Sequence, residues 1–252
     1  MKKDLNVNCL GYSIYNGKLS KIKFRDKLVI NTINQYSFCI AEKDMKFKEA
    51  LNSSNILLPD GIGITLAYKF LRNKKIKKIA GADIHQFILK KLNKENGSCY
   101  YFGSSSNTLS KIQERITKEY PNIKVGFYSP PYKDEFNNEE NKIMIKAIND
   151  FQPDVLFVGM TAPKQEKWVS KNKPDLNVGA ICSIGAVFDF YAGTVNRPSQ
   201  EWINLGLEWL GRLLNEPKRM WKRYIYYGVI FMFHLIGSKI SSIKQFSMQP
   251  IR

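Results

Sequence analysis

From Leu28 onward, short apolar runs alternate with stretches whose apolar residues recur every three or four positions. The runs LVINTIN, NILLPDG, SCYYFG, IKVGFYS, VLFVGM and VGAICSIG have the length and the β-branched and aromatic content of buried strands, while KFKEALNSS and the other stretches between them are helical. Strands that alternate with helices pair in parallel through helical crossovers. The pattern therefore predicts an α/β fold, a Rossmann-like and largely parallel sheet flanked by helices. Its clearest unit is SCYYFGSSSNTLSKIQERITKEYP, in which Gly103 ends a strand, the serines from Ser104 stand ready to cap a helix, and Leu109, Ile112 and Ile116 form one apolar stripe. It reads as the strand-to-helix turn of a nucleotide-binding fold.

The alternation stops after Gly193. The stretch TVNRPSQEWINLGLEWLGRLLNEPKRMWKRYIYYGVIFMFHLIG predicts helices outside the sheet, broken or restarted at Pro217, which suits a first helical turn. The chain thus divides into an α/β domain over residues 1–195 and a basic, aromatic helical appendage over residues 196–252. Strand alternation is complete by Gly185, so the first part is expected to fold without the second. Within the appendage, YIYYGVIFMFHLIG is apolar over only about fourteen residues, short of the roughly twenty that cross a membrane. It is expected to lie on a membrane or against a partner, with packing on the protein's own core as the alternative. Trp221, Lys222, Arg223 and Tyr224 are residue types that suit the headgroup level of an anionic leaflet.

At 252 residues and 44% hydrophobic content, the chain can bury one substantial core with a small appendage besides. Its formal net charge of +17, from 39 Lys and Arg against 22 Asp and Glu, points to a polyanionic partner: nucleic acid, anionic lipid or a phosphorylated substrate. Lysine runs such as LRNKKIKKIAG can equally be a solvated face. Cys9, Cys39, Cys99 and Cys182 are widely spaced with no CxxC pair, which predicts buried free thiols in a reducing setting. The start MKKDLNVNCLGYSI carries no long apolar region of a secretory signal. His85 and His234 stand far apart and are read as packing or surface residues.

Candidate chemistry sits at strand ends, where open α/β sheets bind ligands. In NILLPDGIGI, Pro59 ends a ladder and Gly61 turns the chain into an apolar helix, so Asp60 is either reactive or the helix cap. LVINTIN places Thr32 and Asn34 two apart, on one side of a continuing strand. VLFVGMTAPKQEKW delivers Thr161, Lys164, Gln165 and Glu166 to the same edge, either as site residues or as a loop with first-turn acids on a helix dipole. In a helical appendage, Arg219 and Arg223 are i,i+4 neighbours with Arg212 nearby. Such guanidinium forks make a diphosphate clamp, unless they pair with Glu208 and Glu216. Neither the GxGxxG dinucleotide fingerprint nor a Walker A loop is present.

In order, NTIN, LLPDGIGI, IAGADI, YFGSSSNTL, VGMTAPKQEKW, GAVFDFYAGTVNRPSQEW and LGLEWLGRLLNEPKRMWKRY resemble the WecG/TagA/CpsF glycosyltransferases, glycosyltransferase family 26, over nearly the whole chain. The resemblance implies an inverting transfer of an N-acetylmannosamine-type sugar or related hexose from a UDP-sugar to an undecaprenyl-diphosphate-linked saccharide. It places that transfer in teichoic acid, capsule or exopolysaccharide synthesis, with the enzyme peripheral on the cytoplasmic face of the bacterial inner membrane. By the same resemblance Asp60 is the general base, Thr32 the active-site threonine and Asn34 its neighbour. Gln165 lies near the donor, and Arg212, Arg219 and Arg223 belong to the appendage that closes over the site; Gly103 and Ser104 are further candidate UDP contacts.

The expected partners are the UDP-sugar, the polyprenyl-diphosphate acceptor and an anionic membrane surface, with no nucleic acid, and a homo-oligomer is left open. Inversion requires one base and a cationic group to stabilise departing UDP. The chain contains no D-x-D triplet of the kind that binds a metal, so no cofactor or metal is expected and the arginines carry the electrostatics. The competing readings are a non-catalytic nucleotide-binding membrane-surface module and a nicotinamide oxidoreductase; the missing glycine fingerprint argues against the second.

Overall fold

Apolar runs too short for helices and bounded by Pro, Gly and polar residues become strands, and the amphipathic stretches between them become the covering layers. The computed structural model describes residues 5–247, so residues 1–4 and 248–252 at the ends of the two sequence-drawn parts lie outside the described residues. An antiparallel hairpin, β1 (Asn6–Cys9) and β2 (Tyr12–Tyr15), opens the fold. It is followed by β3 (Leu28–Ile33), α1 (Gln35–Ala41), α2 (Met45–Asn52), β4 (Ile56–Pro59), α3 (Ile62–Arg72) and α4 (Gly81–Glu95). Next come β5 (Ser98–Gly103), α5 (Ser106–Glu119), β6 (Lys124–Tyr128), α6 (Asn138–Phe151), β7 (Val155–Gly159), α7 (Lys164–Asn172), β8 (Ala180–Ser183) and α8 (Val187–Ala192). The chain then continues through α9 (Gln200–Asn204), α10 (Glu208–Asn215), α11 (Pro217–Trp221), a π-turn (Lys222–Tyr226) and α12 (Tyr227–Ser247).

Strands β3 to β8 form one six-stranded sheet in the order β4-β3-β8-β7-β5-β6, parallel throughout. The six sequence-read runs all fall in it. The opening hairpin and α1 were not among the elements the pattern marked, because their segments are short. They nevertheless matter: Tyr12 and Ile14 are buried, and the Tyr12 hydroxyl donates to Glu42 at 2.9 Å.

On one face, Ile30, Leu58, Tyr101, Phe157 and Cys182 meet Ile84, Ile88, Leu109, Ile112 and Phe188 from α4, α5 and α8. On the other, Phe102, Leu156, Val158 and Ile181 meet Met144, Ile148, Trp168 and Val169 from α6 and α7. Beside them Ile33 and Leu57 join Phe38, Phe47 and Ile64 in a cluster completed by Phe231 and Leu235 of α12. All four cysteines are buried free thiols in these layers.

The appendage therefore shares a core with the sheet. Phe231 and Leu235, one helical turn apart, are buried, while Val229, Phe233, Ile236 and Ile240 are exposed on the opposite side of the same helix and Met232 is half-exposed on its flank. No helix among the described residues is long and apolar enough to cross a membrane.

Candidate active site

Asp60 sits where β4 ends. Its N–H still donates to the Ile33 carbonyl at 2.9 Å, so the residue is held to the neighbouring strand. The following helix is capped by Gly61, in the positive-φ region at +82°, with no side-chain hydrogen bond to the helix N-terminus. Capping, the alternative role for Asp60, is not what its carboxylate does. It opens instead into a cavity of about 490 Å³ between the ends of β3 and β4, the starts of α3 and α4, α8, and the helices from α10 to α12. Burial, and then the nearby Glu208, raise the Asp60 pKa to about 6 against the opposing pull of Lys78 and Arg212.

Four cations, Lys78, Arg197, Arg212 and Arg223, line this cavity with the two carboxylates Asp60 and Glu208. Glu208, the first residue of α10, accepts from Lys78 Nζ at 3.0 Å and from Arg197 Nε at 3.1 Å. The Lys78 pair ties the appendage to the loop before α4, and the Arg197 pair joins two segments of the appendage itself. Burial pushes the Glu208 pKa up, but Arg197 and Lys78 outweigh it and the net shift is downward.

Arg212 Nε is buried without a hydrogen-bond partner, and its guanidinium lies 5.1 Å from the Phe190 ring centroid. The Arg223 guanidinium lies 4.8 Å from the Tyr36 ring centroid, and its pKa is lowered by burial and by the positive charges of Arg219 and Arg212. Guanidinium groups crowded on one another and short of carboxylates form a site for a polyanion.

The other sequence-marked residues fall in three places. Asn34 lines the cavity, and its Oδ1 accepts from Ser37 N at 3.0 Å, capping α1. β3 stops at Ile33, but Asn34 stays extended. Thr32 is paired across the sheet with Leu58, two residues before Asp60, and is partly buried without lining the cavity. Arg219 does not line the cavity: its Nη1 lies 2.7 Å from Glu216 Oε2 and its side chain is 46% exposed. The π-turn after α11 means that Arg219 and Arg223 are not related by regular i,i+4 geometry.

Gly103 ends β5 opposite Gly159 of β7 and Ser104 follows it; neither lines the cavity. Here the chain leaves β5 for β6 on one side and β7 for β8 on the other, which makes a topological switch point. Gly103 has φ +122°, and a Cβ on it would lie 2.4 Å from the Gly159 oxygen, so only glycine fits. Ser104 also has positive φ, and it is Ser105 that caps α5. Gln165 is buried and engaged at both ends: Oε1 accepts from Met160 N at 3.2 Å and Nε2 donates to Glu166 Oε1 at 2.8 Å. It braces the β7–α7 turn and does not line the cavity.

Sequence reasoning treated Lys78 as part of a solvated lysine run and Glu208 as a possible partner of the clamp arginines. Their pairing spans 130 residues, and no local signal marks it. Tyr36, two residues after the NTIN motif in NTINQY, carries no local signal of its own either.

The model described as the glycosyl transferase WecG/TagA/CpsF family matches residues 4–245. The chain belongs to this family. Among curated members, the N-acetylglucosaminyldiphosphoundecaprenol N-acetyl-beta-D-mannosaminyltransferase of Bacillus subtilis (strain 168) is 32% identical over 197 residues, which is 78% of this chain and 75% of the relative. The protein of the same name in Bacillus spizizenii (strain ATCC 23059 / NRRL B-14472 / W23) is 28% identical over 185 residues, 73% and 70% of the two chains. That of Staphylococcus aureus (strain MW2) is 25% identical over 195 residues, 77% and 75%. As a WecG/TagA/CpsF glycosyltransferase, the chain carries Asp60 and the cationic cavity on segments inside the family match.

Proposed function

We propose that this glycosyltransferase moves an N-acetylmannosamine-type sugar from a UDP donor to a saccharide carried on a prenyl diphosphate, with inversion and without a metal, for a bacterial surface polysaccharide. The activity for which its relatives are named supports the donor sugar and the acceptor. Asp60 takes the proton from the acceptor hydroxyl as that oxygen bonds to the anomeric carbon. The bond from that carbon to the UDP oxygen breaks, and the leaving diphosphate keeps its electron pair. Arg212 and Arg223 meet the charge that develops, with Arg219 outside the cavity. Thr32 and Asn34 shape the donor side beside Asp60, and Gly103 and Ser104 allow the nucleotide close approach at the switch point. Gln165 supports the donor pocket from behind the β7–α7 turn.

The observation that carries this reading is Asp60 itself: a carboxylate not used as a cap, held at a strand end, with its pKa raised to about 6 in a cavity containing four cations. Such a group is poised as a base near neutral pH. The test is Asp60→Asn, assayed with UDP-N-acetylmannosamine and a prenyl-diphosphate-linked acceptor. Turnover should fall about a hundred- to ten-thousand-fold while UDP affinity, measured by calorimetry, stays near that of the wild type. Near-normal turnover removes Asp60 from the mechanism, and UDP binding by the wild type without any product makes the chain a binding module. Chelator should leave the wild-type rate unchanged; a requirement for added manganese or magnesium would sink the arginine clamp.

The exposed apolar side of α12, with Leu66 and Phe70 of α3 and the basic residues around them, supports a peripheral seat on an anionic leaflet, which we place at the cytoplasmic face.

A further inference from the structure

The cations in and around the cavity are held in two ways. Lys78 and Arg197 pair with the Glu208 carboxylate, and Arg219 pairs with Glu216, so part of the charge of each is already met. Arg212 and Arg223 form no ion pair among the described residues. Each lies instead over an aromatic ring, the Arg212 guanidinium 5.1 Å from the centroid of Phe190 and that of Arg223 4.8 Å from the centroid of Tyr36. Carboxylates are at hand, since Asp60 and Asp189 both feel the charge of Arg212, yet neither pairs with it.

Both rings belong to the sheet part of the chain and both arginines to the appendage. Tyr36 stands in the first turn of α1, whose start is fixed by the reciprocal bonds between Asn34 and Ser37, and Tyr227 meets its ring edge-on at 5.0 Å. Phe190 is in α8, where the next residue is gripped from two helices. Arg115 of α5 lies 4.3 Å over the Tyr191 ring and donates from Nη1 to the Tyr191 carbonyl at 2.8 Å, while the buried His85 of α4 meets the same ring edge-on at 4.8 Å. The two rings are thus placed by contacts that do not involve the arginines.

The kind of partner decides what an arginine can still do. A guanidinium carries five N–H donors, and a carboxylate beside it accepts from some of them and cancels its charge. A ring face attracts the cation but has no lone pair to offer, so it holds the group and leaves donors and charge unspent. The buried, unpartnered Nε of Arg212 is the direct sign of this.

We propose that Phe190 and Tyr36 are positioning residues of the transfer site, whose ring faces hold Arg212 and Arg223 in the cavity with their N–H groups free for the diphosphate of the sugar nucleotide. The inference rests on the reading of the cavity as the transfer site. It has a selective consequence: losing a ring face weakens ligands that carry the diphosphate and spares the nucleoside.

The test uses the full chain and measures the binding of UDP and inorganic pyrophosphate by titration calorimetry and of uridine by NMR titration. Phe190→Leu keeps an apolar side chain and loses the ring face; it should weaken UDP and pyrophosphate about five- to thirtyfold and leave uridine within about twofold. Phe190→Trp and Tyr36→Phe keep a ring and should bind like the wild type, whereas Tyr36→Leu should lose as much as Phe190→Leu. Trifluorophenylalanine placed at residue 190 keeps the shape of the side chain and drains electrons from the ring face, so it decides the matter even if a leucine variant is unstable. It should weaken pyrophosphate at least about threefold. Unchanged pyrophosphate affinity in the fluorinated protein overturns the proposal, because the ring is then only packing. Uridine weakened as much as UDP overturns it too, because the damage is then to the fold. Turnover of UDP-N-acetylmannosamine is read in parallel: pyrophosphate affinity that follows the ring face in a protein with no turnover leaves the two positioning roles standing and removes the transferase reading.

Discussion

Asp60 and Glu166 are both carboxylates withdrawn from water, and their surroundings give them different work. Asp60 opens into a cavity with cations, so its raised pKa becomes a feature of the rate. Below about 6 it is protonated and cannot take a proton, so kcat/KM should fall as pH drops through that value. A pH–rate profile with a flat acid side down to pH 4 would assign the base elsewhere. Glu166 is buried under the β7–α7 turn, where its Oε2 has no hydrogen-bond partner, and burial raises its pKa from 4.5 to about 7. The folded chain therefore holds this proton more tightly than the unfolded chain. The contribution to stability is intact below about 4.5, declines as pH rises toward 7 and is lost above it. Glu166→Gln keeps the bond from Gln165 and removes the buried charge. It should raise stability at pH 8.5 by on the order of 2–3 kcal/mol and change it little at pH 4.5, as read from urea midpoints at the two pH values.

At the scale of elements, the junction between β5 and β7 and the start of α10 do the positioning. A methyl group at Gly103 would collide with the Gly159 carbonyl and would sit at a φ that L-residues avoid, so the two strand ends must part. Gly103→Ala should cost about 3 kcal/mol or more, measured by chemical denaturation; a loss below 1 kcal/mol would mean the strand ends yield easily. The start of α10 is held by Glu208, which also raises the Asp60 pKa. Glu208→Gln weakens both effects. The acid limb of the rate profile should move below 6, and KM for the donor should rise severalfold, because Lys78 no longer ties the appendage to the loop before α4. An acid limb that stays in place would mean Glu208 does not act on the base.

Across the whole molecule, the appendage is both a wall of the site and a part of the core. Phe231 and Leu235 pack in the cluster of Ile33, Phe38 and Phe47, and the Phe231 ring meets Phe38 edge-on at 5.3 Å. A chain cut after Asn196 would uncover that cluster. Its melting temperature should fall well below that of the full chain, in contrast to the independent fold that the completed strand pattern implied; a cut chain melting with the full one would restore the two-part picture. The opposite side of α12 is apolar and exposed, with Phe233 at 71%. Phe233→Glu should reduce co-sedimentation with anionic vesicles and leave the melting temperature within a few degrees of the wild type. Binding that is unchanged in the variant, or insensitive to salt in the wild type, would place the membrane contact on another surface.

The order of elements, the parallel sheet and the place of Asp60 were legible from sequence because each is written locally. Alternation of buried runs and helical stripes sets the sheet, and Pro-Asp-Gly at the end of an apolar strand delivers a carboxylate to the ligand edge whatever surrounds it. The family motifs are local in the same way. The short opening hairpin and α1 carry too little pattern to stand out, and they are stabilised by what they cover: Tyr12 and Phe38 bury against each other at 5.8 Å. The rest was decided only by tertiary structure. That Lys78 meets Glu208, that Arg212 keeps a buried donor unpartnered, that Gln165 braces a turn away from the cavity, and that one stripe of α12 joins the core while the other stays bare all depend on contacts between segments far apart in the chain. A charge or an apolar residue states its need for a partner, and only the packed chain determines which partner meets it.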